Sequence, residues 1–242
     1  MTPVTILQSA AAVRPDWVNR CMTSVADWSQ RQGYHYQCIG DELFDWVTPE
    51  LRAKLQQRTP ILADLARLRW IESELALRGG RVVWIDADTL VVDAAWRVPD
   101  SAHTFFGEEC SVQLTTAGAW RAYQSPHNAF MGFTAASPVL GFLAYLSESI
   151  IARADAAHIA PQMVGPKLLK VLNNLAQFTL VPEAGAVSPA LLTEWVGDAG
   201  PATACYEQAT RPPLALVNLC SSLILSEEAV QRAEQYVSRH GA

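Results

Sequence analysis

Apolar and polar positions along the chain switch between two periods, about two residues per repeat and about 3.6, which predict strands and helices in alternation. Val4 to Gln8 is a short apolar run of the kind that forms a buried parallel strand. From Asp16 the residues Trp17, Val18, Cys21, Met22, Val25 and Trp28 recur at helical spacing, with Pro15 ahead and Gly33 behind as start and stop signals. Tyr34 to Ile39 alternates aromatic and polar side chains as a strand does, and Gly40-Asp41 breaks it. Thr48-Pro49-Glu50 predicts a helix start, with Thr48 as cap and Pro49 at the first helical position. A longer helix follows Thr59-Pro60, through Ile61, Leu62, Leu65, Leu68, Ile71 and Leu75, to Gly79-Gly80, where glycine suits a left-handed cap. It feeds a strand over Val82 to Ile85.

Downstream the signals shorten. They predict short strands near Phe105 and over Ala129 to Phe133, helices at about 138–151 and 167–175, strands near Phe178 and Leu214, and a closing amphipathic helix over about 227–239. Pro and Gly thicken between Pro182 and Pro213, which predicts a long, partly ordered loop close to a site. The alternation implies one α/β domain over 1–242, Rossmann-like, with a mostly parallel central sheet and helices on both faces.

Composition narrows the function. Half of the residues are apolar and 17% are charged, which suits a packed globular chain. The net charge is -6 and the basic residues are scattered, so no nucleic-acid partner is expected. The start Met1-Thr2-Pro3-Val4 lacks the basic residues and apolar core of a secretion signal, and no apolar run reaches membrane-spanning length; a cytoplasmic location is the expectation. Cys21, Cys38, Cys110, Cys205 and Cys220 contain no C-x-x-C pair and read as buried thiols. The histidines show no metal-binding spacing.

One short constellation carries chemistry. Asp86 and Asp88 stand directly after the apolar run Val82-Val83-Trp84-Ile85, and open α/β sheets gather ligands at the carboxyl ends of their strands. Two carboxylates one residue apart invite a hard divalent cation with oxygen ligands, Mn²⁺ or Mg²⁺. Such a cation suits a diphosphate leaving group, because it bridges oxygens on which charge develops. On this reading Asp88 is a direct ligand, and Asp86 contacts either the ribose or a water on the metal; a solvated turn is the plainer alternative.

The stretch Ala63-Asp64-Leu65-Ala66-Arg67, then Arg78-Gly79-Gly80, then Trp84-Ile85-Asp86-Ala87-Asp88, resembles the DXD-motif sugar transferase family. That family includes the yeast initiating mannosyltransferases and, more distantly, the clostridial glucosylating toxins. Thr5-Ile6-Leu7-Gln8, Trp28 with Tyr34-His35-Tyr36-Gln37, Asn128-Ala129-Phe130-Met131-Gly132, Gly165-Pro166 and Leu180-Val181-Pro182 fit further weak motifs in order, over most of the chain. The resemblance implies a GT-A fold and a nucleotide-diphosphate sugar donor bound in the N-terminal half. It implies a saccharide, lipid-linked or protein acceptor on the C-terminal side, and retention of anomeric configuration. By position it implies donor contacts from Gln8, Asp64, Arg67, Asp86, Ala87 and Asn128. Asp64 and Arg67, three apart, also read as an ordinary surface pair, and Asn128 as a turn former.

Several departures stand out. The Asp64 to Asp86 separation is long for the family, which leaves Arg69 as an alternative to Arg67. Where relatives place a metal-binding His, this chain has Leu216-Val217-Asn218-Leu219-Cys220-Ser221-Ser222, so Asn218 or Ser222 is left as a neutral oxygen ligand. Glu108 and Glu109 are the nearest candidates for a base and read otherwise as a solvated loop. Two rival functions remain. Asp86-Ala87-Asp88-Thr89-Leu90 also resembles the first motif of haloacid-dehalogenase phosphatases, with Lys167, Lys170 and Asp198 as imperfect companions. A non-catalytic nucleotide-sugar-binding module is the other, with Trp46, Trp84, Trp96, Trp120 and Trp195 available for stacking.

Overall fold

The computed structural model describes residues 2–55, 58–155, 158–160, 162–197, 200–209, 212–220 and 226–240. The first half follows the hydrophobic pattern closely. Strand β1 is Val4–Ser9, helix α1 Asp16–Gln32, strand β2 His35–Ile39, helix α2 Pro49–Leu55, helix α3 Thr59–Arg78 and strand β3 Arg81–Ile85. Gly33 closes α1 with φ 71°, as the stop signal requires. The remaining elements are β4 Thr89–Val91, β5 Thr104–Leu114, β6 Trp120–Thr134, α4 Leu140–Arg153, α5 Pro166–Ala176, β7 Leu180–Ala186, α6 Pro189–Val196, α7 Pro201–Gln208, β8 Leu216–Asn218 and α8 Glu227–His240.

Among the described residues these strands form one eight-stranded sheet in the order β2-β1-β3-β6-β5-β7-β8-β4. The β2/β1, β1/β3, β5/β7 and β7/β8 pairs are parallel; β3/β6, β6/β5 and β8/β4 are antiparallel. Both faces are covered. Val82 and Trp84 point into a core with Leu62, Leu65 and Leu68 of α3, while Val83 and Ile85 pack with Val25 and Trp28 of α1, as the two-residue strand period demands. A third core joins α1, α6 and α8 through Cys21, Leu191 and Val237.

Two expectations fail in the second half. The strands near Phe105 and Ala129 are long, not short, and form a hairpin whose register runs from Leu114↔Trp120 back to Thr104↔Phe133. Their outer halves are half-solvated, so the apolar run marks only the buried part. The segment 182–213, expected as a loop, holds the end of β7 together with α6 and α7; its prolines Pro189 and Pro201 sit at helix starts, where the missing N–H costs nothing. The cysteines are free, but Cys38 is exposed and Cys205 and Cys220 are only half-buried.

The β5/β6 ladder shifts register between Phe106↔Met131 and Gly107↔His127, leaving residues 128–130 without partners on β5. His127 locks this bulge: its Nε2 donates to Ala184 O at 3.0 Å and its Nδ1 accepts from the Ala129 amide at 3.2 Å. Gly107 is required opposite it, since a Cβ there would collide with the imidazole and lie 2.6 Å from Ala184 O. Burial lowers the His127 pKa to about 4, against the opposing pull of the Ala184 carbonyl and Asp88. The unfolded chain takes up a proton below about pH 6.5 and the folded chain only near 4, so this contribution is intact at neutral pH and is lost as pH falls through that window. The expected loss is about 3 kcal/mol. Urea melts of wild type and His127→Gln at a series of pH values test it; the variant's deficit should shrink towards pH 4, and a constant deficit would refute it.

Candidate functional site

The chain runs from β1 to β2 on one side and then crosses back through α3 to β3 on the other. The carboxyl end of β1 is therefore a topological switch point, the place where an open α/β sheet leaves a crevice. A cleft of about 270 Å³ opens there. It is lined by Ser9 to Ala11 after β1, by Asp41 and Phe44 of the 3₁₀ turn Asp41–Trp46, by Thr59, Ala63 and Arg67 of α3, and by Trp84 and Asp86 to Asp88 at the end of β3.

Trp84 and Asp86, two residues apart, share the face of the sheet that α3 covers, and Arg67 on α3 meets both. Arg67 Nη1 donates to Asp86 Oδ1 at 2.9 Å and to Asn128 O at 3.1 Å. Its Nη2 lies 3.2 Å from Asp64 Oδ1, its Nε donates to Ala63 O, and its guanidinium sits 5.0 Å from the Trp84 ring centroid. Four of the five guanidinium N–H groups are thereby spent. Asp64 and Arg67 are 7% and 8% exposed, so they are not the ordinary surface pair their spacing also allowed. Arg69 instead reaches Glu72 and Glu148, away from the cleft, which separates the two arginines.

Asp86 also accepts the Trp84 indole N–H at 2.5 Å. Its carboxyl is pushed up to about 6, chiefly by burial, with Asp88 and Asp64 adding to the shift and Arg67 and Trp84 opposing it. Burial likewise raises Asp64, against Arg67 and Asn128. Asp88 is held from the far side of the sheet: β8 delivers Asn218, whose Nδ2 donates to Asp88 Oδ1 at 2.5 Å and to Thr89 Oγ1 at 3.2 Å, and the Leu219 amide donates to Asp88 O. Asn218 Oδ1 accepts from the Cys220 amide and thiol. Asn218 thus reaches the expected place but turns its nitrogen, not its oxygen, towards Asp88, so it orients the carboxylate instead of ligating beside it. Ser222 lies outside the described residues.

Other expected contacts are displaced. Gln8 has no exposure; its amide donates to Asp86 O at 3.2 Å and its oxygen accepts from Tyr36 Oη at 2.8 Å, so it supports the Asp86 main chain from beneath and cannot touch a donor. Asp64 and Asn128 stand behind Arg67. Asn128 Nδ2 donates to Asp64 Oδ1 at 2.7 Å, and the void they share is about 10 Å³, no larger than a single water needs. Gly165 closes it, since a Cβ there would collide with the Asp64 carboxylate. Ala87 does line the cleft. Glu108 and Glu109 belong to β5 and lie outside it, which corrects the loop reading. Lys167 and Lys170 lie outside the cleft, so these two companions of the phosphatase motif do not join Asp86; Asp198 is outside the described residues. Trp84, Trp195 and Trp96 are packed in the cores. The 3₁₀ turn with Asp41 and Phe44 is a wall that sequence reading passed over, because six residues after a Gly-Asp break carry no periodicity.

No family model and no curated relative matches the chain. Its architecture does have a counterpart. A glycosyltransferase involved in the glycosylation of the major capsid of PBCV-1 superposes over 97% of this chain and 98% of its own, with a TM-score of 0.51 at 11% identity. The chain has a GT-A fold. The galactosyltransferase LgtC, in complex with donor and acceptor sugar analogues, matches at TM-score 0.47 and 13% identity over 98% and 96% of the two chains. Within the GT-A frame, the cleft described above is the crevice outside the carboxyl ends of β1 and β3. No described helix is long and apolar enough to cross a membrane.

Proposed function

We propose that the chain is a metal-dependent glycosyltransferase that moves a hexose, with retention, from a nucleotide-diphosphate sugar to a saccharide, lipid-linked or protein acceptor. The observation that carries this reading is the cleft at the switch point with Asp86 and Asp88 on its floor, in a GT-A fold. The donor set fits a hard divalent cation. Asp41, Asp86 and Asp88 line the cleft against Arg67, the single cation among its described lining residues. Among the described residues no three His, Cys, Asp or Glu side chains come together as a metal-holding group. Mg²⁺ and Mn²⁺ sites of the substrate-completed kind need only one or two carboxylates, the rest of the shell being phosphate and water.

Asp88 is assigned to hold the cation, with Asp86 beside it. The cation, when bound, supplies positive charge to the diphosphate oxygens. Asn218 fixes the Asp88 carboxylate from β8, and Arg67 with Trp84 fixes Asp86 from α3 and β3, so the two acids enter the reaction already oriented and lose little freedom on binding. Ser9 to Ala11 and Phe44 line the part of the cleft assigned to the nucleoside.

Thermal shift with Mn²⁺ and a panel of nucleotide-sugars, followed by assay of nucleotide release, tests the reading. Metal-dependent stabilisation by a nucleotide-sugar together with release supports it. Stabilisation without release would favour a binding module, and phosphate release from a generic phosphate ester would favour a phosphatase.

A further inference from the structure

A second cleft, about 390 Å³, lies between the far half of the β5/β6 hairpin and the start of α5. Glu109, Ser111 and Gln113 of β5 and Tyr123 of β6 form its floor, and Lys167 and Lys170 at the start of α5 form one wall. Two features join it to the donor cleft. Gly165, packed against Asp64 and Asn128, is followed directly by residues 166 and 167 on the wall of the second cleft. On the sheet, Glu109, Ala186 and Asn218 are register partners across β5, β7 and β8, so Glu109 stands two strands, roughly 10 Å, from the side chain that holds Asp88.

The lining has a definite chemistry. Glu109, Ser111 and Gln113 are spaced two apart and so face the same way, giving a row of hydrogen-bonding groups in which Gln113 donates to Ser111 at 3.0 Å. Tyr123, the register partner of Ser111, is 44% exposed and presents a ring with a hydroxyl at its edge. Hydroxyl and amide groups beside an exposed ring suit the polar rim and apolar face of a sugar. Lys167 and Lys170 are exposed, and Lys170 lies within electrostatic reach of Glu109. Glu109 is the one acid among the described lining residues against two lysines, so the lining is net positive in a chain whose net charge is -6.

Resting on the glycosyltransferase reading above, we propose that the second cleft binds the acceptor and that this acceptor is an acidic saccharide, its carboxylate or phosphate set against Lys167 and Lys170. One acceptor hydroxyl then faces the donor cleft. Its oxygen bonds to the anomeric carbon as the bond from that carbon to the diphosphate oxygen breaks, and its proton leaves with the diphosphate.

Calorimetric titration of the full chain with methyl glucuronide, glucose phosphate and methyl glucoside tests this, in wild type and in the Lys167→Gln/Lys170→Gln double variant. Two exposed charge contacts are worth about tenfold in affinity, so the anionic sugars should bind about tenfold more tightly than methyl glucoside. In the double variant that preference should vanish, while the Mn²⁺ and nucleotide-sugar response stays as in wild type. A preference confined to methyl glucuronide assigns the carboxylate source, and one confined to glucose phosphate the phosphate source. Equal affinity for the neutral sugar, an anion preference that survives the double substitution, or equal binding of inorganic phosphate alone would overturn the proposal. Should nucleotide-sugar binding be absent while lysine-dependent binding of acidic sugars persists, the transferase reading falls and the acidic-saccharide site stands; the opposite result removes this site and leaves the transferase.

Discussion

Asp88→Ala is expected to lower donor-dependent turnover about a thousandfold, equivalent to about 4 kcal/mol of transition-state stabilisation, and to abolish the Mn²⁺-dependent thermal shift. The substitution removes the carboxylate assigned to the cation and no core volume. Asn218 Nδ2 loses its 2.5 Å bond to Asp88 but keeps Thr89 Oγ1 at 3.2 Å, so the cost in stability should be only about 1 kcal/mol. Urea melts and metal titrations on the same preparation separate the two effects. An unaltered Mn²⁺ response would remove Asp88 from the metal shell, and with it the proposed function.

Arg67→Ala has the larger consequence for the fold. By the family resemblance, Arg67 reads as a donor contact whose loss mainly weakens affinity. In the structure its guanidinium is the cation shared by Asp64 and Asp86, and both carboxyl groups are already pushed up by burial. Removing it leaves the buried Asp64 and the half-buried Asp86 without their cation beside Asp88, and breaking a buried pair such as Arg67–Asp64 costs about 3–5 kcal/mol. Adding Asp64→Asn should recover part of that loss, because an amide at 64 keeps Asn128 as partner without a charge. Denaturant midpoints of the single and double variants are the measurement. A stable Arg67→Ala protein with only weakened donor binding would return the residue to the role the resemblance implies.

The contrast between Arg67 and Gln8 shows where sequence reading stopped. The resemblance implies donor contacts from both; in the structure both bond to Asp86, Gln8 from beneath the main chain and Arg67 with nearly all its donors spent. A linear pattern places a residue at the end of a strand or on a face of a helix. It does not say which of its polar atoms are already paired, because the bonds that tie Gln8 and Arg67 to Asp86, and Arg67 to Asn128, span 19 to 78 positions. Glu109 makes the same point from the other side. Nothing local distinguishes a solvated loop from the far half of a long hairpin, and only pairing with β6 and β7 puts it in a cleft.

The sequence by itself determined the α/β alternation of the first 85 residues, the caps of α1, the glycine at which α3 ends, and the position of Asp86 and Asp88 at the end of β3. These are local matters of period, propensity and steric punctuation, and they survive without knowledge of neighbours. The tertiary structure decided the antiparallel insertion of β6 and β5, the bulge that carries Asn128, the delivery of Asn218 to Asp88 and the separation of Arg67 from Arg69. Each of these depends on hydrogen-bond pairing and burial between segments remote in the chain, whose free energy is set by the whole fold and leaves no periodic mark on the residues that contribute to it.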